Sequence, residues 1–225
     1  MRRNIYGIFV AGGSGTRMGG DVPKQFLPLD GRPILQCTIE RFLEAEPDMK
    51  IITVLPKAHF GTWKDLCAFH SFHCPQVLVA GGLTRFHSVQ NALRKVPDGA
   101  IVSIHDGVRP LVSAELVRRM LDRLQRGECR ALLPVVPVVD TLRSTDPAVP
   151  DPDRSHVVAV QTPQMFRSED IKAAYTQAYD LTFTDDASVA ARKEIPLTFE
   201  QGERFNLKIT TPEDLVLAEA ILTRR

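Results

Sequence analysis

An excess of charge of one sign is what this sequence lacks. Among 225 residues, 28 Lys and Arg stand against 27 Asp and Glu, a formal net charge of +1. A chain so balanced has no global field to gather it onto nucleic acid or an anionic membrane surface. Neither partner is expected, and any anion site must be built from a few placed cations. Long apolar runs are missing too: no stretch approaches the roughly 20 residues that a bilayer crossing needs. The opening MRRNIYGIFVAGG couples two arginines to an apolar run, as a signal peptide does, but the run is short and breaks at glycines, so it reads as a first strand. Cysteine is sparse. Cys37, Cys67, Cys74 and Cys129 have neither the spacing of paired bridges nor that of C-x-x-C knuckles, which leaves reduced thiols in a cytoplasmic protein as the expectation. No internal repeat and no linker divides the chain, so residues 1–225 read as a single domain.

What is present is alternation. NIYGIFVA, KIITVLP, QVLVA, AIVSIHD and RALLPVVPVV are apolar, β-branched runs. Between them lie helical patterns: PILQCTIERFLEAE, with Ile34, Leu35, Ile39, Phe42 and Leu43 on one face and Pro33 at the first position, then HFGTWKDLCAFH, TRFHSVQNALRKV and SAELVRRMLDRLQRG, the last with Ser113 as N-cap and Gly127 as stop. Strand and helix alternating this often predict an α/β, Rossmann-like, mostly parallel sheet with helices on both faces. Ligands of such sheets bind at the carboxyl ends of the strands, which puts the glycine loop at 12–15, Gly81 and Gly82, and the HDGVRP turn on one rim. The alternation breaks at residues 137–160, where two valine-rich runs flank a tip rich in Pro, Asp and Ser and predict a protruding hairpin arm. Farther on, Thr211, Pro212 and Asp214 form a strong helix start.

The segment VAGGSGTRMGGDVPKQF asks for an anion. It is not a dinucleotide loop: Gly13 and Gly15 fit G-x-G-x-x-G, but Met18 takes the third place, and the second strand ends VLPKAH without a ribose-binding acid. It is not a P-loop either, because Asp21 stands where lysine should follow Gly20. What remains is a loop that can expose several backbone N–H groups, with Arg17 and Lys24 nearby, and phosphate binding is the reading that its place at a strand end favours. Asp106 in IHDGVRP is open to two readings, an Asp-Gly turn or a Mg²⁺ ligand; a triphosphate on the same rim brings its own Mg²⁺ and favours the second. His105 beside it reads as structural. Cys67, His70 and Cys74 share a helical face in the manner of zinc ligands, but Cys67 also shares a stripe with Phe60 and Trp63, so core packing is the simpler account and whether the cluster binds anything stays open. Asp185 and Asp186 serve equally well as a helix start or as site carboxylates. Lys208 alone is an ordinary lysine.

Taken together, AGGSGTRMGGDVPKQFLPLDGRPIL, GGLTRFHSVQNAL, HDGVRPLV, PVVPVVDTLR, VQTPQMF, TDDAS and NLKITTPEDL resemble, in order and over nearly the whole chain, the 2-C-methyl-D-erythritol 4-phosphate cytidylyltransferase family of the sugar-nucleotide pyrophosphorylase group. The resemblance implies CMP transfer from CTP to a sugar-alcohol phosphate, a Mg²⁺ cofactor, and a homodimer in which the arm at about 137–160 embraces the second subunit. It implies that Ala11, Gly12, Gly13, Gly82 and Ser88 line the nucleotide; that Arg17, Lys24 and Lys208 are the catalytic phosphate cluster; that Asp106 binds the metal; and that Arg109, Thr141 and Arg154 serve the acceptor, the last two from the arm of the other subunit. Two departures bear on the substrate. Val10, Ala11, Gly12 and Gly13 replace the Pro-Ala-Ala-Gly of many members, a form that also resembles ribitol 5-phosphate cytidylyltransferase, and Leu83 stands where some members carry an acid. A nucleotide-binding regulator on the same scaffold is the reading from another class.

Overall fold

The computed structural model describes residues 2–13 and 22–224. Along the chain run β1 (Ile5–Val10), the short β2 (Pro28–Leu29) and β3 (Arg32–Pro33), α1 (Ile34–Ala45), β4 (Lys50–Leu55), α2 (Phe60–Phe69), β5 (Gln76–Ala80), α3 (Arg85–Leu93), β6 (Ile101–Asp106) and α4 (Ala114–Gln125). They are followed by β7 (Ala131–Pro137), β8 (Val158–Val160), β9 (Gln164–Arg167), α5 (Ser168–Ala174), α6 (Asp186–Arg192), β10 (Leu197–Gln201) and α7 (Pro212–Leu222). Among the described residues, eight strands form one sheet in the order β10-β7-β9-β6-β1-β4-β5, with β8 paired to β7. Pairings β6–β1, β1–β4, β4–β5 and β7–β10 are parallel, so the expected mostly parallel α/β architecture is what the chain adopts.

The period-2 alternation of a strand explains how both faces are covered. On β1, Ile8 enters one core with Val89, Ala92, Phe166 and Ile171, while Ile5 and Phe9 enter the other with Phe42, Trp63, Met120 and Leu121. Gly7 lies on that second face because a Cβ there would meet Met49 Sδ at 2.7 Å and Phe9 Cε2 at 2.9 Å. On α4, Leu116, Val117, Met120, Leu121 and Leu124 are buried at helical spacing, and the Ser113 hydroxyl accepts the Leu116 N–H as N-cap. Thr211 and Asp214 complete a capping box at α7.

Three sequence expectations change. Pro33 stands just outside α1, at the N-cap, because Asp30 and Gly31 take positive φ (52° and 74°) in a tight hairpin between β2 and β3 and the Ile34 N–H is already committed to Leu27 O at 3.0 Å. The second valine-rich run pairs with the first only at the root of the arm and does not run on as one strand into the sheet. Val160 lies opposite Val135 and Met165 opposite Leu132, so three steps along β7 face five along its neighbour. The two extra residues form a bulge between β8 and β9, and β9 enters the sheet antiparallel between β6 and β7. Finally, paired strand is confined to the root of the expected arm; residues 138–157 contain a single turn of 3₁₀ helix, Arg154–His156, and are mostly exposed.

The start of β1 is tied to α5. Glu169 receives Arg3 Nη1 at 2.7 and 3.0 Å and the Gly99 N–H at 3.2 Å. Partial burial raises its carboxyl, but its own N–H, Arg3 and the Gly99 N–H outweigh that and hold it at about 2, against 4.5 for the free group. The unfolded chain therefore binds the proton first, so this contribution is complete above the unfolded value and is lost as pH falls toward the folded one. Urea denaturation should find Glu169→Gln less stable than the parent near pH 7, with the gap narrowing below about pH 4.5 and closing only toward pH 2; an equal gap at pH 7 and pH 2 would refute the assignment.

Candidate active site

The parallel strands bring their carboxyl ends to one rim, and short hydrogen bonds stitch the loops there to neighbouring strands. Ala11 N donates to Val54 O at 2.9 Å, Gly81 N to Leu55 O at 2.9 Å and Gly107 N to Val10 O at 2.9 Å. Between the loops opens a cavity of about 360 Å³. Ala11, Gly12 and Gly13 form one wall, Gly82 and Ser88 another, and Lys24, Arg85, Asp106 and Lys208 supply the charge. Three of the four polar residues on which a phosphate site was predicated, Lys24, Asp106 and Lys208, therefore line one cavity; Arg17 lies outside the described residues.

The glycines serve different purposes. A Cβ on Gly82 would collide with His87, whose backbone carbon would lie 3.0 Å away, so this glycine is imposed by the protein. Among the described residues, a Cβ on Gly13 would meet nothing within 4 Å. The space beside Gly13 belongs to the cavity, which is where a ligand would press against the backbone. Ser88 Oγ accepts the Gly82 N–H at 3.0 Å and donates to Thr84 O at 2.9 Å, so its proton is committed and an oxygen lone pair is what it can offer a ligand. Gln25, fully buried, donates to Ala11 O at 2.9 Å and so ties the glycine wall to the turn that carries Lys24. Lys24 in turn donates to Ile209 O at 3.1 Å, beside Lys208.

Asp106 is the electrostatic centre. Its Oδ2 meets Arg109 Nε and Lys208 Nζ, both at 3.1 Å, and its Oδ1 faces Arg85 Nε at 3.9 Å. Burial alone would raise this carboxyl, but Arg85, Lys208 and Arg109 overcome it and hold the group far below the usual carboxylate range. It is ionised at any working pH. Arg109 is directed at Asp106 and at Asn206 O (2.8 Å) from behind the cavity wall. Thr141 and Arg154 are exposed on the 138–157 segment, where Arg154 donates to Val139 O at 2.7 Å; this chain does not bring them into the cavity.

Arg85 is the residue that sequence reasoning passed over. It occupies the first turn of α3, where a cation opposes the helix dipole. That misplacement was the available signal, because an acid from elsewhere has to hold it. The acid is Asp186, fully buried, which takes Arg85 on both oxygens at 2.9 and 2.6 Å and also accepts Tyr175 OH at 2.6 Å. Asp185 has the capping role, accepting the Ser188 N–H at 2.8 Å at the start of α6. Buried His105, read as structural, accepts and donates within the wall and faces no cavity. Cys67 and Cys74 pack against the core around Trp63, and burial pushes both thiols up to about 11. Among the described residues no group of three His, Cys, Asp or Glu is placed to hold a metal, the Cys67–His70–Cys74 face included.

A glycine-walled, cation-rich cavity at the carboxyl rim of a parallel α/β sheet defines a nucleotide-binding protein of the Rossmann-like class. The family model for 2-C-methyl-D-erythritol 4-phosphate cytidylyltransferase matches residues 5–224. Relatives bearing that name are 45% identical in Bacteroides thetaiotaomicron, over 96% of this chain and 98% of the relative, and 47% identical in Porphyromonas gingivalis, over 99% and 100%. Among solved structures, the 4-diphosphocytidyl-2C-methyl-D-erythritol synthase of Anaerococcus prevotii is similar with a TM-score of 0.82 at 28% identity, covering 99% of this chain and 97% of its own. The chain belongs to the 2-C-methyl-D-erythritol 4-phosphate cytidylyltransferase family.

The open space beside Gly13 yields a direct check. Gly13→Ala should leave the thermal midpoint essentially unchanged, because among the described residues the added Cβ meets no atom within 4 Å, while weakening CTP binding about tenfold, about 1.4 kcal/mol. Calorimetric titration beside a melting curve measures both; unchanged affinity would remove this loop from the nucleotide site.

Proposed function

We propose that this chain transfers CMP from CTP to 2-C-methyl-D-erythritol 4-phosphate, releasing pyrophosphate, in a cytoplasmic compartment where its four cysteines stay reduced. The observation that carries the reading is the convergence of Lys24, Arg85, Lys208 and Asp106 on a cavity walled by Gly12 and Gly13. Cytosine lies toward Gly82 and Ser88, and the triphosphate toward Lys24, Lys208 and, from the first loop, Arg17.

The chemistry follows from charge. A phosphate monoester has its second pKa near 6 and is mostly a dianion at neutral pH, so an acceptor oxygen attacks the α-phosphorus without a general base. The bond from that phosphorus to the bridging oxygen breaks, and pyrophosphate leaves with the electron pair. The obstacle is repulsion between two anions: each pair of unit charges about 4 Å apart costs roughly 4 kcal/mol at an effective dielectric near 20. Lys24 and Lys208 offset it and stabilise the charge that grows on the leaving group. Asp106 fits a divalent cation. Its Oδ2 is engaged by Arg109 and Lys208, and its Oδ1 has Arg85 only at 3.9 Å; one carboxylate oxygen plus phosphate oxygens and water is a set that Mg²⁺ accepts. When bound there, Mg²⁺ supplies further countercharge for the triphosphate.

The acceptor side calls for a second copy. Val139, Val158 and Val160 of the arm are exposed, as are Phe199 on β10 and Phe205. A homodimer that covers these side chains would carry Thr141 and Arg154 to the acceptor bound by the other subunit, with Arg109 reaching it from behind Asp106.

Pyrophosphate release from CTP and Mg²⁺ with either 2-C-methyl-D-erythritol 4-phosphate or ribitol 5-phosphate tests the reading. Turnover is expected with the first. Preference for the second would reassign the acceptor, and CTP binding without release would indicate a regulator. Lys24→Ala is expected to lower kcat about 10²–10³-fold while CTP affinity falls much less; equal losses would count against a role in the transition state.

A further inference from the structure

Arg85 answers to two carboxylates. Its Nη1 and Nη2 donate to Asp186 Oδ1 and Oδ2 at 2.9 and 2.6 Å, while its Nε stays 3.9 Å from Asp106 Oδ1, beyond hydrogen-bond reach. We propose that Asp186 is a positioning residue: it holds Arg85 back from Asp106, so that one oxygen of Asp106 stays open to a divalent cation and the nucleotide phosphates it accompanies. The inference rests on the reading of Asp106 as a metal ligand and goes beyond it, to the residue that keeps the ligand available.

Two carboxylates compete for one guanidinium. Asp106 Oδ2 is already engaged by Arg109 Nε and Lys208 Nζ, both at 3.1 Å. Oδ1 is the oxygen left for a ligand, and Asp106 and Arg85 both line the cavity. A guanidinium this near a carboxylate is attracted to it, and it has N–H donors to spare. If Arg85 closed the gap, cations would occupy both oxygens of Asp106. What opposes that is a two-bond pair, a strong and directional geometry between guanidinium and carboxylate, made on an acid that is fully buried. Asp186 is itself prevented from following Arg85 toward the cavity, because Tyr175 OH donates to its Oδ1 at 2.6 Å. Tyr175 is 2% exposed and is fixed from α3, the helix that carries Arg85. Its ring stacks on Phe86 with centroids 4.7 Å apart, and its carbonyl accepts Gln90 Nε2 at 2.8 Å. Phenol, carboxylate and guanidinium thus form a line that ends at the cavity.

An ion pair that served only to join α3 to α6 would have no need of a second carboxylate in front of it. Here the guanidinium Nε faces Asp106, and both partners of that contact belong to the cavity wall. Removing the charge of Asp186 would leave a cation without its counterion, and Asp106 is the carboxylate that Arg85 already faces. Since loss of a group that orients a metal ligand typically costs about 10–100-fold in metal affinity, the expected effect falls on the metal-assisted binding of CTP.

The test is calorimetric titration of CTP into the full-length protein, in Mg²⁺ and in EDTA, which reads the metal without turnover. The parent should bind CTP more tightly in Mg²⁺. In Asp186→Asn that advantage should fall about tenfold or vanish, with affinity in EDTA weakened less than about threefold. Adding Arg85→Gln to Asp186→Asn removes the released cation together with its restraint and should restore most of the advantage, a rescue that a purely structural pair would not give. An undiminished Mg²⁺ advantage in Asp186→Asn, or no recovery in the double variant, would overturn the proposal. If Asp186→Asn does not fold, Tyr175→Phe keeps the ring on Phe86 and removes only the phenol donor: a loss of about 3–10-fold in the Mg²⁺ advantage supports the proposal, and the parent's value overturns it. A parent that binds CTP equally well in Mg²⁺ and in EDTA would sink the reading of Asp106 as a metal ligand, and this inference with it, so the two failures are told apart by which protein lacks the advantage.

Discussion

A buried carboxylate surrounded by cations is the constraint around which the rest of this structure is organised. Arg109 and Lys208 approach the same oxygen of Asp106 at 3.1 Å. Two like charges that close repel by roughly 3–4 kcal/mol at an effective dielectric near 20, so they share a wall only because the carboxylate attracts both. Burial of the carboxylate gives this arrangement its strength and its cost: losing its charge would leave Arg109 and the half-exposed Lys208 facing one another with no counterion between them. One carboxylate at the centre of the cavity lets a folded protein keep several cations concentrated there.

The fold supplies the precision. Parallel strands place several chain segments at one rim, but the rim loops are short of partners of their own, and buried polar side chains have to hold them. Gln25 ties the glycine wall to the turn of Lys24, Asp186 fixes Arg85, and the segment 161–164, from the bulge into β9, braces the 106–109 turn, the 203–208 loop and the turn into α6. Such networks are favourable when nearly every member is satisfied. Among the described residues, the buried Asn206 Oδ1 atom has no hydrogen-bond partner, at the point where these loops meet.

The legible and illegible parts of the site divide by range. Lys24, Asp106 and Lys208 could be named because lysine beside a glycine loop and an acid at a strand end are local patterns, and family resemblance joined them. Arg85 could not be given a role, because its partner lies 101 residues away and the one local sign, a cation in the first turn of a helix, does not say which acid holds it. The antiparallel entry of β9 was hidden for a related reason. HVVAVQTPQMF is apolar enough to be strand throughout, and periodicity cannot show where register slips by two residues when both faces of the run are buried in part. Asp185 and Asp186, equivalent as text, have opposite surroundings, one capping α6 and the other fully buried beneath Arg85.

By itself, then, the sequence determined the alternation of strand and helix, the caps at Ser113 and Thr211, the rejection of dinucleotide and P-loop chemistry, and the placement of the glycine loop at the strand ends. These are matters of local sterics, hydrogen bonding and periodicity, which act over a few residues. Only the tertiary structure decided which cations face Asp106, which glycine yields to protein and which to ligand, and which buried side chains hold the rim together. Those depend on distances between segments far apart in the chain, and a one-dimensional pattern does not contain them.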